Sequence, residues 1–257
     1  MKKITEQVAF WIIYIFGVVF GFIFARLVHR GSIIVKNYNS ISQVESGSII
    51  ACNHPSLLEP FLVVCLFLMK YVLHPIKFRP WITPDKRNFY DRWWFRFKTV
   101  SIAIDRTKPS MLALRKMLSI LRERMGLLFI HIEGTRTFKA VSKGNAIYGK
   151  RGVLGEPRIQ IGWLAVKSGA PIVPVWFDKT IEQIFPNTEK TERLLEKGGF
   201  PLFWYFLSGF LSAFFVLLLK KKQIVINIGV PFTISENTSP ENAVHVIAEA
   251  LLALADQ

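Results

Sequence analysis

Cysteine and acidic residues are scarce in this chain of 257 residues. It contains two cysteines, Cys52 and Cys65, and 18 acidic residues against 33 basic ones. Two cysteines within apolar runs are too few for a disulfide framework, which indicates a reducing compartment. No Cys/His spacing typical of a zinc site is present, so we expect neither a bound metal nor a resident cofactor.

Basic residues are absent from residues 223–257, which contain four acids, so residues 1–222 carry a formal charge of +19. A basic body predicts a polyanionic partner: nucleic acid, an anionic membrane surface or a phosphorylated substrate. The mean hydropathy of +0.32, with 22 Phe and 7 Trp, is too high for a typical soluble nucleic-acid binder. No helix-turn-helix, zinc-finger or RNA-binding aromatic motif is present. These features predict membrane lipids as partners and no nucleic acid.

The first long apolar segment is an uncharged run of 18 residues at 8–25, just long enough to cross a bilayer core. A cleaved signal peptide would have a shorter apolar region followed by small residues, whereas here Arg26 and Arg30 follow. We therefore predict an uncleaved membrane anchor over residues 1–30. Basic residues on both flanks leave its orientation undetermined.

A second uncharged run covers residues 200–219 and ends at Lys220, Lys221 and Lys222. Alone it would be a transmembrane helix, but residues 224–229 directly after it have the pattern of a buried strand. A single crossing would prevent that strand from joining the sheet. We therefore expect residues 200–222 to be a re-entrant or in-plane element, with the lysines at anionic headgroups.

The remaining chain alternates between strand and helix patterns, which favours an α/β fold with functional residues at strand ends. The predicted strands are 33–38, 48–51, 76–79, 100–104, 127–132, 172–177 and 224–229. The predicted helices are 60–73, 109–125, 162–168 and 240–255.

Four short patterns follow one another in a fixed order. They are Asn53-His54-Pro55-Ser56-Leu57-Leu58-Glu59, then Ser101-Ile102-Ala103-Ile104-Asp105-Arg106, then Glu133-Gly134-Thr135-Arg136, and finally Ile172-Val173-Pro174-Val175. Together they resemble the four blocks of the glycerolipid acyltransferases, the 1-acylglycerol-3-phosphate acyltransferase family. The resemblance covers roughly residues 33 to 255. It implies a mixed central sheet flanked by helices, as in glycerol-3-phosphate acyltransferase, within an acyltransferase domain at residues 31–257.

His54 and Glu59 admit two interpretations. Ser56 and Glu59 have the spacing of a capping box, with Ser56 at the N-cap. Alternatively, Glu59 accepts a hydrogen bond from the imidazole and stabilises the imidazolium as His54 removes a proton from an alcohol. On a continuous helix, a spacing of five residues would place the two side chains about 140° apart. Their pairing therefore requires a break between loop and helix, which Pro55 favours.

The resemblance assigns roles to six further residues. It implies that the acceptor phosphate is bound by Arg106 and Arg136, in a pocket shaped by Glu133, Gly134 and Thr135, and that Pro174 helps to place the acyl chain or thioester. Guanidinium groups suit this role because they bind phosphate bidentately and stay charged. Read in isolation, Arg106 is a surface partner of Asp105, and Glu-Gly-Thr-Arg is an ordinary turn.

Three further positions have a structural interpretation. Ile132 stands where the family usually has proline, and His131 is expected to be structural and not a second base. Cys52 lies two residues before His54 and could be a thiol nucleophile, but a small buried residue is the favoured interpretation. The basic segment 138–158 either contacts headgroups, covers the site or is a solvated loop.

These features predict a membrane O-acyltransferase of phospholipid biosynthesis or remodelling. It would transfer a fatty acyl group from acyl-CoA or acyl carrier protein to the hydroxyl of a lysophospholipid similar to lysophosphatidic acid. The family usually has Asp where this chain has Glu59, and the Glu variant occurs in enzymes that acylate glycolipids. A glycolipid acceptor and a catalytically idle lipid-binding protein are therefore the alternatives. We expect a bacterial inner-membrane location, with the catalytic domain on the cytoplasmic face.

Overall fold

A six-stranded sheet with helices on both faces organises the chain in the computed structural model, which describes residues 2–92, 100–105, 111–134, 137–185, 191, 193–194 and 199–257. The described strands are β1 Ile33–Lys36, β2 Ile49–Cys52, β3 Pro80–Ile82, β4 Leu127–His131, β5 Ala146–Tyr148, β6 Val153–Gly155, β7 Ile172–Phe177 and β8 Ile224–Ile228. The described helices are α1 Lys2–His29, α2 Glu59–Leu66, α3 Leu68–Leu73, α4 Met111–Arg122, α5 Thr137–Ser142, α6 Ile159–Ser168, α7 Thr180–Ile184, α8 Gly199–Leu218 and α9 Pro240–Ala255.

The strand order across the main sheet is β1-β8-β7-β2-β4-β3, and β5 and β6 form a separate hairpin. Strands β7, β2, β4 and β3 are parallel to one another, while β8 is antiparallel to β7 and parallel to β1. The carboxyl ends of β7, β2 and β4 therefore lie at the same edge of the sheet as the amino ends of β8 and β1. We name this side the carboxyl-end edge. It brings together loops that are far apart in sequence.

Each face of the sheet buries its own hydrophobic core. One core contains Phe24 and Leu27 of α1 together with apolar side chains of α2, α7 and α8. The other contains apolar side chains of α4, α6 and α9. All four residues of β2 and all six of β7 are buried, which explains why these strands are continuous apolar runs and not alternating patterns.

The structure confirms the predicted α/β class with its mixed central sheet and flanking helices. Strand β7 and helix α9 begin and end at the predicted residues. Helix α9 starts where Ser239 accepts a hydrogen bond from the Asn242 amide at 3.2 Å, and Pro240 takes the first helical position. The local signals of Ser239 and Pro240 are sufficient to predict where α9 begins.

Three predicted elements were wrong. The helix expected over 60–73 is interrupted at Phe67, whose ring is buried against Phe129 with centroids 5.8 Å apart. The strand expected at 76–79 is a turn, closed by a hydrogen bond from the Phe78 amide to the His74 carbonyl at 2.9 Å, and the strand follows at β3. The strand expected at 100–104 is reduced to isolated bridges at Ser101 and Ile104.

Helix α1 covers the predicted apolar run and packs on α3. A Cβ at Gly21 would lie 1.6 Å from Leu68 Cδ2, so this glycine permits the close approach of the two helices. Among the described residues, the helix that is long and apolar enough to cross a membrane is Phe200–Leu218, of which 22% is buried. The division into an anchor at residues 1–30 and a domain at residues 31–257 stays a prediction.

Candidate active site

The loop after β2 is fixed to the neighbouring strand by Asn53. Its side-chain Nδ2 donates to the Phe177 carbonyl and its Oδ1 accepts from the Phe177 amide, both at 2.9 Å. Asn53 is buried, and this pair of hydrogen bonds joins β2 to the end of β7. The predicted motif included Asn53 without a role. The structure shows that it holds the following residue, His54, at the carboxyl-end edge.

His54 and Glu59 are in direct contact through Nδ1 and Oε1. Helix α2 begins only at Glu59, so residues 55–58 form the break that allows side chains five residues apart to meet. The Glu59 carboxylate is fully buried, whereas 12% of the His54 side chain is exposed. When Nδ1–H donates to the carboxylate, Nε2 is the basic nitrogen of the ring.

Glu59 also contacts the loop that precedes α2. Glu59 Oε2 accepts a hydrogen bond from the Ser56 amide at 3.1 Å, which is one of the two contacts of a capping box. The helix begins at Glu59 with Leu58 at its N-cap, so the predicted N-cap at Ser56 is wrong. The Ser56 hydroxyl accepts from the Leu58 amide at 3.1 Å and donates to the Phe185 carbonyl at 3.1 Å. One oxygen of Glu59 therefore holds the loop that precedes the helix while the other contacts the imidazole. The predicted pairing with His54 is present, whereas the contact with Ser56 lies in the loop that precedes the helix.

His131 lies against His54, and the sequence did not predict this contact. It ends β4, next to β2 in the sheet, and its imidazole stacks on that of His54 with centroids 4.3 Å apart and planes 18° apart. Its Nδ1 lies 3.1 Å from the Asn53 carbonyl oxygen, which makes Nδ1–H the donor. The expectation that His131 is structural overlooked this contact, because the two histidines are 77 positions apart.

His54, Glu59 and His131 offer ligand atoms within 4.8 Å of one another. Two stacked imidazoles hold their lone pairs in two separate, nearly parallel planes, whereas a tetrahedral metal site needs lone pairs that converge on one point. Glu59 also occupies Nδ1 of His54 directly. The arrangement suits a proton-transferring pair better than a metal centre, and the prediction that no metal is bound stays a prediction.

Glu133 is a buried carboxylate that holds the backbone of His54 in place. Its Oε1 accepts from the His54 amide at 2.7 Å and from the Thr137 hydroxyl at 2.8 Å, and its Oε2 accepts from the Gly155 amide at 2.7 Å. Burial raises the pKa of Glu133 to about 7, opposed by these three hydrogen bonds, which favour the carboxylate. Glu133 thereby joins the catalytic loop to α5 and β6. These contacts fit the predicted shaping of the pocket, and direct contact with substrate stays a prediction.

Arg158 is a candidate binding residue that the sequence analysis missed. Gly134 has a φ of +58°, and a Cβ added there would lie 2.6 Å from Cγ and 2.8 Å from Nε of Arg158. This position therefore requires glycine on two grounds. The exposed Arg158 directly precedes α6, and among the described residues its guanidinium forms no hydrogen bond or ion pair. The predicted start of α6 at Gly162 concealed it, because it left Arg158 inside a long basic loop.

Four predicted site residues remain: Arg106, Thr135, Arg136 and Pro174. Arg106, Thr135 and Arg136 lie outside the described residues. Pro174 lies inside β7, paired with Ala51, and its carbonyl accepts from the Gly229 amide at 2.8 Å. Because Pro174 is three residues from the end of the strand, its predicted contact with the acyl chain or thioester stays a prediction.

Cys52 is a buried structural residue in its observed surroundings. Its side chain is fully buried, and burial, followed by the charge of Glu59, raises the pKa of the thiol well above its ordinary value. A nucleophilic cysteine needs a lowered pKa and access to substrate. These observations favour the structural interpretation of Cys52 over the nucleophilic one.

Comparison with known proteins identifies a family and a similar fold. The sequence profile of the Acyltransferase family matches residues 32–178, more than half of the chain, including His54, Glu59 and Glu133. The chain belongs to the acyltransferase family. The crystal structure of PlsC, the 1-acyl-sn-glycerophosphate (LPA) acyltransferase from Thermotoga maritima, resembles this acyltransferase with a TM-score of 0.52. The two sequences are 14% identical, and the likeness covers 100% of this chain and 84% of PlsC.

The structural likeness to PlsC extends over the whole acyltransferase and shows a shared fold. A search of curated proteins gives no match for this acyltransferase. The family assignment confirms the predicted resemblance and the prediction that the chain is an enzyme that transfers acyl groups. The structure brings His54, Glu59 and Glu133 together, and the roles of the individual site residues stay predictions.

Proposed function

We propose that this acyltransferase transfers a fatty acyl group from a thioester, acyl-CoA or acyl carrier protein, to the hydroxyl of a lysophospholipid similar to lysophosphatidic acid. The contact between His54 Nδ1 and the buried Glu59 carboxylate carries the proposal. It fixes the tautomer in which Nε2 accepts a proton, and it stabilises the imidazolium that forms.

The reaction requires two proton transfers at His54. Nε2 removes the proton of the acceptor hydroxyl as the oxygen attacks the thioester carbonyl, and a tetrahedral intermediate forms. When the carbon–sulfur bond breaks, the imidazolium returns the proton to the departing thiolate. An ester and a free thiol result, and Glu59 stays ionised throughout, as the orienting carboxylate of a general base does. No covalent acyl-enzyme is needed.

The lysophospholipid acceptor is supported by two observations. The PlsC structure belongs to an enzyme described as a 1-acyl-sn-glycerophosphate acyltransferase. Arg158 lies over Gly134 at the edge of the site, where a guanidinium would bind a phosphate bidentately. We propose that Arg158 acts with Arg106 and Arg136, the predicted phosphate ligands.

A glycolipid acceptor is the second candidate, favoured by Glu59 in the place where the family usually has Asp. The additional methylene does not prevent contact with the imidazole, so the variant is compatible with catalysis on either acceptor. A catalytically idle lipid-binding protein is less consistent with an assembled His54–Glu59 pair.

The membrane location is also a proposal. The exposed apolar side chains of α1 and α8 and the candidate span Phe200–Leu218 support contact with lipid. Acyl-CoA and acyl carrier protein are water-soluble donors, so we propose that the catalytic domain faces the cytoplasm at a bacterial inner membrane.

The test is acyl transfer by the purified full-length protein. We would incubate it in detergent with acyl-CoA or acyl carrier protein, and with a panel of lysophosphatidic acid, other lysophospholipids and glycolipids, and identify products by mass spectrometry. Conversion of lysophosphatidic acid to phosphatidic acid is the expected result. Acylation of a glycolipid alone would favour the second candidate, and no transfer to any acceptor would favour the idle protein.

His54→Ala is the corresponding variant, because general-base catalysis contributes about 10²- to 10⁴-fold in rate. Its matched control is His245→Ala, since His245 is exposed on α9. A folded His54→Ala protein that lost less than about tenfold in rate would exclude His54 as the base.

A further inference from the structure

The ends of α1 and α8 meet at one place on the surface. The Ser32 hydroxyl donates to the Leu217 carbonyl at 2.6 Å, and Gln223 Nε2 donates to the Gly31 carbonyl at 2.9 Å. Strands β1 and β8 then begin side by side, with Ile33 opposite Ile224. Two helices separated by about 170 residues in sequence therefore end together.

Both helix ends are basic. We name as the basic collar the five residues Arg26, Arg30, Lys220, Lys221 and Lys222. Four of them are exposed and Lys222 is half-buried. Among the described residues, none of the five forms an ion pair with a carboxylate, and Lys222 Nζ donates to Gln183 Oε1 at 2.9 Å. Within the described part of the chain, the collar is thus a concentrated positive charge without a carboxylate partner.

An apolar ridge runs along α8 and ends at the collar. Its members, spaced by three or four residues and therefore on one face of the helix, are Phe200, Trp204, Leu207, Leu211, Phe215 and Leu219, and each is exposed. The opposite face is buried in the protein core through Leu202, Phe206, Ala213 and Leu217. Because this buried stripe extends from one end of the helix to the other, α8 lies along the protein and its ridge faces outward.

The collar and the base lie at the same edge of the sheet. Strand β8 is antiparallel to β7, with Phe177 opposite Ile226, so the start of β8 lies beside the end of β7. Asn53 joins that end of β7 to the loop carrying His54. Strands β8 and β2 are separated by β7 alone, which corresponds to about 10 Å between their axes.

We propose that the basic collar binds the headgroup phosphates of an anionic lipid monolayer while the ridge of α8 inserts among the acyl chains of the same leaflet. A helix with one apolar face and clustered lysines binds a membrane in this manner. An acidic protein or nucleic acid would fit the collar but not the adjoining ridge. The proposal rests on the proposed function, since it places the base where an acceptor lipid is reached from the membrane surface.

The test is vesicle binding by the full-length protein. We would measure partition onto vesicles of neutral phosphatidylcholine, with and without anionic phosphatidylglycerol, for wild type and for Lys220→Gln/Lys221→Gln/Lys222→Gln. The matched control is Lys143→Gln/Lys150→Gln/Arg151→Gln, which removes the same charge from exposed positions around the β5–β6 hairpin. A ridge variant, Trp204→Ser/Phe215→Ser, completes the set, and thermal unfolding confirms that each variant is folded.

The collar variant should bind anionic vesicles on the order of 100-fold more weakly than wild type, and the difference should shrink at high salt. The control should lose much less, and the ridge variant should lose binding to neutral and anionic vesicles alike. Equal losses of vesicle binding in the collar variant and the control variant would mean that net charge alone causes the effect, and would overturn the proposal. Binding of the collar variant at the wild-type level would overturn it as well.

Acyl transfer to the best acceptor of the panel, dispersed in neutral detergent, separates this proposal from the proposed function. The collar variant should retain wild-type activity there. An active wild type whose collar variant binds anionic vesicles normally would refute the collar alone. A wild type that binds vesicles through the collar but transfers no acyl group would refute the proposed function alone.

Discussion

Glu59 contacts His54 Nδ1 with one carboxylate oxygen and accepts the Ser56 amide with the other. A single buried side chain thus couples the orientation of the base to the loop that precedes α2. This double role allows the charge of Glu59 to be tested separately from its contact with the Ser56 amide.

Glu59→Gln should reduce kcat about 10- to 100-fold, because a hydrogen bond to a charged group contributes about 1.5–3 kcal/mol. The amide oxygen of Gln can still accept the Ser56 amide, so the fold should persist. Glu59→Asp should keep partial activity because the carboxylate remains. Steady-state kinetics with circular dichroism measures both. Wild-type activity in Glu59→Gln would mean that the contact with the Ser56 amide is the main role of Glu59.

The stacked His131 should influence the pH dependence of catalysis. The imidazolium that forms on His54 would lie 4.3 Å from the His131 ring, and a second positive charge there costs about 1 kcal/mol in water and about 4 kcal/mol at an effective dielectric constant of 20. His131→Phe keeps a stacked ring that does not titrate, so kcat/KM should persist to lower pH than in wild type. Glu59 and Glu133 are the carboxylates nearest this pair along the described contacts, and both remain in the variant.

His131→Ala removes the ring and should reduce kcat by about tenfold through loss of His54 orientation. The pH profile of kcat/KM for the two variants is the measurement. Profiles that coincide with wild type for both variants would show that the stacking has no catalytic consequence.

The three arginines should act mainly on acceptor binding. Arg106→Ala, Arg136→Ala and Arg158→Ala should each lower kcat/KM for a phosphate-bearing acceptor by about 10- to 100-fold, since a charge-assisted contact contributes about 1.5–3 kcal/mol. Arg115→Ala on the exposed side of α4 is the control. The assignment of a phosphate pocket fails if acceptor KM and kcat/KM stay unchanged in all three.

Glu133 should make the stability of the protein depend on pH. Its folded pKa of about 7 lies above the ordinary value of 4.5, so between these limits the folded state binds more protons than the unfolded state. This contribution is fully present below pH 4.5 and is lost as the pH rises through 7. Thermal unfolding in detergent measures the slope of stability against pH. In Glu133→Gln, the part of this slope that lies between pH 4.5 and 7 should disappear. An identical slope in both proteins would contradict the raised pKa.

Helix α8 should lie in one leaflet without crossing the membrane. Lys179 and Ser235 are exposed residues on either side of it, and β8 lies in the same sheet as β7. Lys179→Cys and Ser235→Cys should therefore react with a membrane-impermeant thiol reagent from the same side of oriented vesicles. Labelling from opposite sides would contradict the in-plane arrangement. Wild type, with buried Cys52 and half-buried Cys65, gives the background.

The sequence by itself predicted the acyltransferase family and the elements that have local signals. The motif containing His54 and Glu59 predicted the pair that the structure brings together, although its alternative, the capping box, was equally local. Strand β7 and helix α9 were predicted to the residue because a buried apolar run and a Ser-Pro cap need no distant partner.

Only the tertiary structure decided the contacts between distant segments. The stacking of His131 on His54 and the position of Arg158 over Gly134 depend on which strands are neighbours, and strand order is not encoded in any short pattern. The meeting of α1 and α8 at the carboxyl-end edge likewise depends on the antiparallel pairing of β8 with β7. Pairing between strands far apart in sequence arises from packing of the whole chain, and this packing places the basic collar beside the base.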